Sequence, residues 1–287
     1  MILVAGGTGT LGTRIVRAID APVRVLTREA GRARHLRGAE IVVGDVRAPA
    51  TLTAAVRDVT TIVWAVQGMA GTDPGGFAAV DLGGLRNLLD AADAQRLVLL
   101  STAEASPASP LELRRVKYQA ETMARNSALA TTIIRPTAFL ETWLGIFTQM
   151  AESKRSVFVF GRGENPVNFV SVSDVAALVV HAVRSPELDG KTLQIGGPDT
   201  LPLTELARAV LVRQGLPEKI KHVPLPVLRV VATALRPVKP MAAALVRLAI
   251  AMDTTDMTLA VDTARAAVPG LPVTRVTDVL TQRPNER

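Results

Sequence analysis

The amino-acid sequence predicts an α/β fold built on a doubly wound parallel sheet, with a smaller, mostly helical part toward the C-terminus. In the first half of the chain, short apolar runs alternate with longer segments of helical periodicity, which is typical of βαβ units. A glycine-rich segment follows the first apolar run, where such a sheet turns into its first helix. The chain has 287 residues, 48% of them apolar, which is enough for a sizeable core.

The apolar runs of the first half predict six strands: Ile2–Ala5, Val23–Thr27, Glu40–Val43, Thr61–Ala65, Arg96–Leu100 and Thr131–Ile134. The helices predicted between them cover residues 10–19, 29–37, 49–57, 77–93 and 111–126. In the fourth helix, valines and leucines recur at helical spacing after two glycines. Strands and helices that alternate in this way form a parallel sheet with helices on both faces.

After Pro136 the pattern is less regular. It predicts a helix over 139–151, an extended run over 167–172, a helix with Ser173 as its N-cap, a strand at Thr192–Ile195 and a helix from Leu203. Prolines divide residues 223–252 into two short apolar helices. We therefore predict a core of residues 1–197, with an insertion at about 138–169, and a small C-terminal region of residues 198–287.

The composition excludes several kinds of chemistry. The chain has no cysteine and only three histidines, so we expect no thiolate nucleophile, no disulfide and no metal site. The longest stretch without a charged side chain, residues 59–72, is shorter than the roughly 18 residues that cross a bilayer. The apolar N-terminus leads straight into glycines instead of a signal peptide, and we therefore expect a cytoplasmic protein.

The net charge of +7 is concentrated in two basic tracts, residues 14–37 and 219–252. The first tract holds seven arginines against two acids, and the second holds six basic residues and no acid. Nine aromatic residues offer little stacking for bases, and no run of three basic residues occurs. The sequence therefore predicts no nucleic-acid partner, and we expect most arginines of the first tract to lie at the surface.

The glycine-rich segment predicts a pyrophosphate site. Glycines 6, 9 and 12 stand at Gly-x-x-Gly-x-x-Gly spacing between the first strand and the first helix. Glycine allows a tight turn whose N–H groups approach a phosphate, and the helix N-terminus adds about half a positive charge. The predicted contacts are Gly6, Thr8, Gly9, Thr10, Leu11 and Gly12. The alternative is a purely structural glycine turn.

The end of the second strand indicates which dinucleotide binds. NAD-binding sheets carry an acid at this position, which holds the ribose 2′-hydroxyl, whereas here the chain has Thr27 and Arg28. A guanidinium pairs with a 2′-phosphate that a carboxylate would repel, so Arg28 favours NADP(H) over NAD(H). Arg32 is a second candidate contact. A solvated arginine at a helix start is the alternative for Arg28.

Further motifs follow the other strands: Gly44-Asp45-Val46, Ser101-Thr102, Arg135-Pro136-Thr137, Phe169 to Asp174 and Ile195 to Pro198. In this order and spacing, together with the glycine turn, the chain resembles the NmrA-like branch of the atypical short-chain dehydrogenases/reductases over nearly its whole length. The resemblance implies an NADP-binding Rossmann core and a C-terminal part that covers the substrate. It also implies where the cofactor lies: Asp45 and Val46 by the adenine, Ala65, Val66, Gly68 and Ser101 along the ribose and pyrophosphate, and Pro136, Thr137 and Phe139 near the nicotinamide. Each of these residues alone could instead be a loop or core residue.

The catalytic set usual in that superfamily, a serine followed by Tyr-x-x-x-Lys, is broken here. The residue four positions before Lys117 is Leu113, and Ala103 occupies the usual serine position, two after Ser101. The single tyrosine, Tyr118, lies out of register. Lys117 could still bind the nicotinamide ribose, with Glu121 as its partner one helical turn later, or the two could form a plain surface ion pair. Thr137 is the other weak catalytic candidate.

The missing proton relay constrains the predicted function. An electron-poor acceptor, such as a quinone, a cationic dye or an activated enone, can take hydride and collect its proton from water. We therefore predict an NADPH-dependent reductase of a lipophilic small molecule; the alternative is a catalytically silent NADP(H) sensor or an accessory or assembly subunit. The apolar helices of residues 223–252, with Arg229, Thr233 and Arg236 as a polar strip, suit weak contact with a membrane surface or a helical annex over the core. The sequence predicts no particular oligomeric state.

Overall fold

A computed structural model describes residues 1–68, 75–235, 237, 238 and 240–281. Within them the strands are β1 (Ile2–Ala5), β2 (Val23–Thr27), β3 (Glu40–Val43), β4 (Thr61–Trp64), β5 (Arg96–Leu100), β6 (Ala130–Pro136), β7 (Ala138–Phe139), β8 (Val157–Phe160), β9 (Pro166–Val170), β10 (Thr192–Ile195), β11 (Asp199–Pro202) and β12 (Ile220–Val223). The α-helices are α1 (Thr10–Ala18), α2 (Thr53–Val56), α3 (Gly84–Ala91), α4 (Glu112–Arg125), α5 (Leu140–Lys154), α6 (Val172–Arg184), α7 (Leu203–Arg213), α8 (Leu225–Leu235), α9 (Pro240–Thr254), α10 (Thr263–Ala267) and α11 (Val276–Thr281).

The main sheet has seven parallel strands in the order β10-β6-β5-β4-β1-β2-β3. The strand order reverses at β1, which pairs with β2 on one side and with β4 on the other. Ala5 therefore lies opposite both Leu26 and Trp64. This topology confirms the predicted doubly wound sheet, and the point of reversal is where such sheets bind their ligands.

Apolar side chains of the central strands fill the main core. Leu3, Ile62, Trp64 and Leu97 are fully buried, and the leucines of α3 pack against them. Strands that are covered on both faces read as continuous apolar runs, which is why they were predictable from the sequence. The bounds predicted for β1, β2, β3, β5 and β10 are confirmed, whereas β4 ends one residue earlier than predicted and β6 is longer at both ends.

Two predicted helices of the first half are much shorter in the structure. The segment predicted as a helix over 29–37 contains only a 3₁₀ turn at Ala30–Ala33. The segment 49–57 divides into a 3₁₀ turn, Pro49–Thr51, and the four residues of α2. Glycines 31 and 38 weaken the first segment as a helix, and a left-handed Asp58 (φ 57°) follows the second.

The helix predicted over 77–93 begins with a π-helical turn, Ala78–Gly83, which continues directly into α3. Asp81 lies within this turn and is fully buried. The turn packs against α4. A second difference concerns α6, which starts at Val172, so Ser173 lies inside its first turn instead of capping it.

Arg24 is the exception to the expectation that most arginines of the first basic tract lie at the surface, since five of the seven are exposed. It lies in β2 and is buried. Its guanidinium donates to the carbonyl oxygens of Ala55 and Arg57 and forms an ion pair with Glu40 at 3.0 Å. This arginine therefore ties β2 to its neighbours.

The chain divides into two compact units. The first comprises Met1–Pro136, Val172–Ile195 and Asp262–Pro272, and the second comprises Thr137–Ser171, Gly196–Val261 and the described part of Val273–Arg287. The second unit contains a three-stranded sheet, β11-β9-β7, and a two-stranded sheet, β12-β8. Its core is formed by Phe147, Phe169, Leu206 and Met252 with their neighbours. The domain boundary predicted at residue 197 stays a prediction.

A buried aspartate holds the turn that follows β8. The carboxylate of Asp253, in α9, accepts the backbone N–H groups of Arg162 (3.1 Å) and Gly163 (2.8 Å). A Cβ atom on Gly161 would lie within 2.3 Å of the same carboxylate, so the turn needs glycine there. Among the described helices, none has the length and apolar character that crossing a bilayer requires.

Candidate functional site

The loops that carry most of the predicted cofactor residues lie at one edge of the main sheet. The glycine turn follows β1, Arg28 follows β2, Asp45 and Val46 follow β3 after Gly44, residues 65–68 follow β4, and Ser101 follows β5; Pro136 ends β6. All these strands are parallel and in register, so their carboxyl ends share one edge. The fold thus brings together the predicted residues that belong to the first unit.

Glycine is required sterically at two positions of the turn after β1. Gly6 has a left-handed backbone (φ 87°), and a Cβ atom on it would lie 2.5 Å from the carbonyl oxygen of Ala65. A Cβ atom on Gly12 would lie 2.1 Å from the carbonyl oxygen of Gly6. Atoms cannot approach this closely, so any side chain at these positions forces the backbone apart. The turn therefore forms a narrow cradle beside the point where the strand order reverses.

The N-terminus of α1 faces the same edge. Its N-cap residue is Gly9, and no described side chain caps the helix. Thr10, the first helical residue, is exposed. The first N–H groups and the dipole of such a helix attract an anion, so Gly9, Thr10, Leu11 and Gly12 fit the pyrophosphate of a dinucleotide. The cradle and this helix end are the observations on which the fit of the cofactor rests.

Arg28 and Asp45 lie close enough to interact electrostatically. Arg47 donates to both carboxylate oxygens of Asp45, with the shortest distance 2.6 Å. This hydrogen bond lowers the pKa of Asp45, partial burial opposes it, and the positive charges of Arg47 and Arg28 lower the pKa further. Arg28 itself is exposed just beyond β2. The end of the second strand thus places Arg28 near the ion pair of Asp45 and Arg47.

Val46 is buried against the start of α3. The carbonyl oxygen of Val46 accepts a hydrogen bond from the Asn87 side chain at 2.8 Å, and a Cβ atom on Gly84 would meet the Val46 side chain at 2.6 Å. The loop after β3 is therefore held by α3, and Asp45 in this loop is partly exposed.

Lys117 is not paired with Glu121, and this part of the prediction is wrong. Lys117 is buried, with 4% of its surface exposed, and its ammonium lies 2.8 Å from Oδ1 of Asp81. It also donates to the carbonyl oxygens of Val66 (3.3 Å) and Leu100 (3.2 Å). Two of the three N–H groups of the ammonium thus have carbonyl acceptors, and the contact with Asp81 is an ion pair. The reading of Lys117 as a plain surface ion pair is wrong as well.

Glu121 instead forms the centre of a second buried network. Ser101 donates its hydroxyl proton to Oε1 of Glu121 at 2.5 Å. Arg135 binds both carboxylate oxygens at 2.8 and 2.6 Å, and Arg125 adds an ion pair at 3.0 Å. The hydrogen bond to Glu121 is the main cause of the raised pKa of Arg135. The network joins α4 to the ends of β5 and β6.

The sequence contained a signal for both networks. Lys117 and Glu121 occupy the same face of α4 as Val116, Ala120 and Ala124, all of which are buried. Two charged residues one turn apart on an apolar helical face indicate buried partners elsewhere in the chain. That signal identifies neither Asp81 nor Arg135 as the partner, because both come from distant segments.

The positions of the usual relay are apolar in the structure. Ala103 is buried, and its N–H donates to the carbonyl oxygen of Pro136 at 2.8 Å. Leu113 lies one turn before Lys117 on α4 and is partly buried. Neither side chain can transfer a proton. Tyr118 follows Lys117 directly, so its side chain leaves the helix about 100° around the axis from the lysine.

Thr137 and Phe139 belong to the second unit. Thr137 donates its hydroxyl proton to Oδ1 of Asn168 at 3.0 Å. The buried Asn168 also binds Gly197 through both backbone groups and donates to Thr200, so all its polar atoms are used. Phe139 is partly exposed just before α5. The assignment of these two residues to the nicotinamide stays a prediction, and so does a catalytic role of Thr137.

A doubly wound parallel sheet with a glycine cradle and an uncapped helix N-terminus beside its point of reversal defines the class of NAD(P)H-binding Rossmann proteins. Comparison with known protein families agrees, since a family described as NAD(P)H-binding matches residues 6–186. The chain belongs to this family and is homologous to atypical reductases of the NmrA-like branch.

Two curated relatives differ in the role that their names state. The NAD(P)H azoreductase of Xenophilus azovorans is 31% identical over 222 residues, which is 76% of this chain and 75% of the relative. The photosystem II assembly factor Ycf39 of Synechocystis sp. is 31% identical over 236 residues, 79% of this chain and 72% of the relative. The relatives thus include both a reductase and an assembly factor.

Two solved structures share the fold over almost the whole chain. The NADPH-dependent quinone oxidoreductase QOR2 of Escherichia coli, complexed with NADPH, superimposes with a TM-score of 0.74 at 21% identity, covering 98% of this chain and 99% of that one. The triphenylmethane reductase of Citrobacter sp., complexed with NADP(H), gives a TM-score of 0.77 at 19% identity, with the same coverage of both chains. At this identity the likeness shows the fold alone.

Proposed function

We propose that this protein is an NADPH-dependent reductase that transfers hydride to a lipophilic, electron-poor small molecule. One contrast at this edge of the sheet carries the proposal. The glycine turn that would hold the cofactor is present, whereas Ala103 and Leu113 replace the proton relay and Lys117 is buried in an ion pair. A ketone needs a proton as hydride arrives, and loss of a positioned donor costs about 10²- to 10⁴-fold in rate. A quinone, a dye or an activated enone avoids that requirement, and the names of the relatives and structural neighbours agree with such acceptors.

The residues of the first unit would hold the cofactor in three parts. Gly6, Gly9 and Gly12 with the N-terminus of α1 would receive the pyrophosphate, which needs backbone N–H donors at close approach. Arg28 would pair with the 2′-phosphate, and the loop with Asp45 and Val46 would lie by the adenine. Bound NADPH would supply the hydride, and the protein would supply the orientation of the two reactants.

Anaerobic mixing of the protein with NADPH and a panel of acceptors tests the proposal. The panel contains quinones, azo dyes, triphenylmethane dyes and activated enones, and the oxidation of NADPH is followed by its absorbance. We expect oxidation well above the protein-free rate for at least one of these classes, and slower reaction with simple ketones. Absence of oxidation with every acceptor, in a sample that binds NADPH, would refute the reductase and support the silent alternative.

Cofactor preference depends on Arg28. Arg28→Asp is expected to weaken NADPH binding by about 10- to 100-fold and to change NADH binding little, because a charge-assisted pair with the 2′-phosphate is replaced by repulsion. Fluorescence titration with both cofactors measures the difference. Arg37→Asp, an exposed arginine of the same basic tract, is the matched control and should leave the ratio of the two affinities unchanged. An equal loss for both cofactors in Arg28→Asp would remove Arg28 from the 2′-phosphate.

We further propose a cytoplasmic protein that makes weak contact with anionic membranes through α8. Val227, Val230 and Val231 are exposed on this helix, Val230 to 69%, with Arg229 beside them. The strand β12 before it carries the exposed Lys221, which with Lys154 lies over the ring of Phe158. No acid occurs between Lys219 and Met252, so this surface suits anionic headgroups. Arg236 of the predicted polar strip lies outside the described residues.

Co-sedimentation with lipid vesicles tests this contact. We expect the protein to pellet with vesicles rich in phosphatidylserine at low salt and to be released by high salt, which screens the charges. Val230→Glu should abolish pelleting, whereas Val212→Glu, at an exposed valine of α7 in the same unit, should not. Binding that is absent at low salt, or equal in the two variants, would contradict a lipid-binding α8.

The second candidate function is that of a catalytically silent NADP(H)-binding accessory or assembly protein. The photosystem II assembly factor Ycf39 of Synechocystis sp. supports this candidate, because its match covers most of this chain at the same identity as that of the azoreductase. The incomplete proton relay is equally compatible with loss of turnover. The acceptor panel described above separates the two functions, since both require NADPH binding and only the reductase consumes NADPH.

A further inference from the structure

The buried ion pair of Asp81 and Lys117 connects the loops that follow β4 and β5. Oδ1 of Asp81 lies 2.8 Å from the ammonium of Lys117, and its Oδ2 accepts the N–H of Gly68 at 2.8 Å. The ammonium in turn holds the carbonyl oxygens of Val66 and Leu100. Two side chains thus fix three backbone groups at the carboxyl edge of the sheet, on the side of β1 opposite to Arg28.

Stability alone does not account for this pair. Both side chains are removed from water almost completely, with 0% and 4% of their surfaces exposed, and the desolvation of two charges offsets most of their attraction. An apolar pair of similar volume at such a site is often as stable or more stable. An apolar pair cannot orient the surrounding backbone, because only polar or charged side chains form directional hydrogen bonds with particular carbonyl and N–H groups.

The local backbone supports a specific role for Asp81. This residue lies in the π-helical turn Ala78–Gly83, and π-helical turns are rare and occur frequently at functional sites. The turn packs against α4, the helix that carries Lys117. An irregular turn on one helix therefore meets a buried lysine on the next, and Asp81 in that turn also accepts the N–H of Gly68.

We propose that Asp81 and Lys117 are positioning residues, which shape the backbone of residues 65–68 and 100–101 to receive the ribose and nicotinamide half of NADPH. Lys117 acts on the cofactor through these backbone groups and not by direct contact. Because Ala65 lies against Gly6 of the cradle, a shift of this loop also disturbs the pyrophosphate site. The inference rests on the NADPH binding that the proposed function requires, and it does not depend on turnover.

The test compares cofactor affinity with stability in a set of variants. Lys117→Met alone leaves a buried carboxylate unpaired, so its unfolding midpoint should fall clearly. The double variant Asp81→Leu/Lys117→Met should recover most of that midpoint, yet bind NADPH at least ~10-fold more weakly than the parent, about 1.4 kcal/mol. Adenosine 2′-monophosphate, which lacks both the pyrophosphate and the nicotinamide half, should bind parent and double variant equally. This difference between ligands is a readout that a purely structural role would not produce.

The ion pair of Arg96 and Asp189 provides the matched control. It has a distance of 2.8 Å and lies at the amino end of β5, opposite to the cofactor edge. Arg96→Met/Asp189→Leu is expected to change stability and to leave the affinity for NADPH unchanged. If this control lost NADPH affinity to the same extent as the other double variant, the effect would be general and the proposal would be overturned.

Two further results would overturn the proposal. Parental NADPH affinity in Asp81→Leu/Lys117→Met would show that the loops do not need the pair. Unchanged or tighter binding in Asp81→Leu, combined with weaker binding in Lys117→Met, would make Lys117 a direct ligand that Asp81 restrains. A parent protein that binds no NADPH would refute the proposed function together with this inference, whereas a parent that binds NADPH isolates the role of the pair.

Discussion

Gly12→Ala is expected to abolish measurable NADPH binding and to destabilise the first unit. The new Cβ atom would lie 2.1 Å from the carbonyl oxygen of Gly6, and that oxygen belongs to a turn that itself touches Ala65. Relief of the clash requires a backbone shift, which costs about 1–3 kcal/mol of stability in a packed site. The shift also moves the N–H groups that would bind the pyrophosphate, so we expect a loss in affinity of at least ~100-fold. Fluorescence titration and urea unfolding measure the two effects.

Gly145→Ala is the matched control for this substitution. Gly145 lies inside α5, in the second unit, and a Cβ atom on it would have no described atom within 4 Å. Replacement of a helical glycine by alanine stabilises a helix by up to about 1 kcal/mol, so this variant should be as stable as the parent or more stable, with unchanged NADPH affinity. If Gly12→Ala bound NADPH as tightly as the parent, the cradle would not be the pyrophosphate site.

The strands of the main sheet could be predicted because their side chains are buried on both faces. Apolar runs such as those of β1, β2 and β5 can be recognised as strands from the local sequence alone. The predicted cofactor loops then follow from the parallel arrangement, since the carboxyl ends of parallel strands lie at one edge. The segments 29–37 and 49–57 were harder to predict, because whether a nine-residue stretch forms a helix depends on how it packs.

The partners of Lys117 and Glu121 show where sequence reasoning fails within the site. The i,i+4 rule describes exposed helical faces, where two opposite charges one turn apart are neighbours and no other protein group competes for them. On α4 the same spacing lies on a buried face, so each charge finds a partner on another element: Asp81 for the lysine and Arg135 for the glutamate. Local spacing therefore drew attention to Lys117 and Glu121 but predicted the wrong partner for each.

The second unit was the least predictable part of the chain. Its strands β8 and β12 have four residues each, lie about sixty residues apart in sequence, and pair only with each other. Such short strands carry little periodicity, and their pairing depends on the helices between them. Asp253, at the end of an apolar helix, likewise gains its role from a turn ninety residues earlier. Contacts at this distance along the chain leave no local pattern.

Glu121→Leu is expected to destabilise the protein by about 1–3 kcal/mol, because removal of the carboxylate leaves the partly buried guanidinium of Arg135 and the buried hydroxyl of Ser101 without their partner. Arg135 would lose two hydrogen bonds and Ser101 would lose its acceptor, both at the edge that carries the cofactor residues. The loss should appear as a lower urea midpoint with an unchanged slope. Gln119→Leu, an exposed position on the same helix, should stay within about 0.5 kcal/mol of the parent.

A double variant tests whether Glu121 stabilises the protein by compensating the charge of Arg135. In Glu121→Leu/Arg135→Met neither of these two charges remains buried, so the double variant should recover much of the stability lost in Glu121→Leu. Ser101 still lacks its acceptor in the double variant, and we therefore expect NADPH affinity to stay below that of the parent while stability returns. If the double variant were no more stable than Glu121→Leu, the carboxylate would not be compensating Arg135. In that case the Ser101 hydrogen bond and the packing around α4 would carry the whole effect.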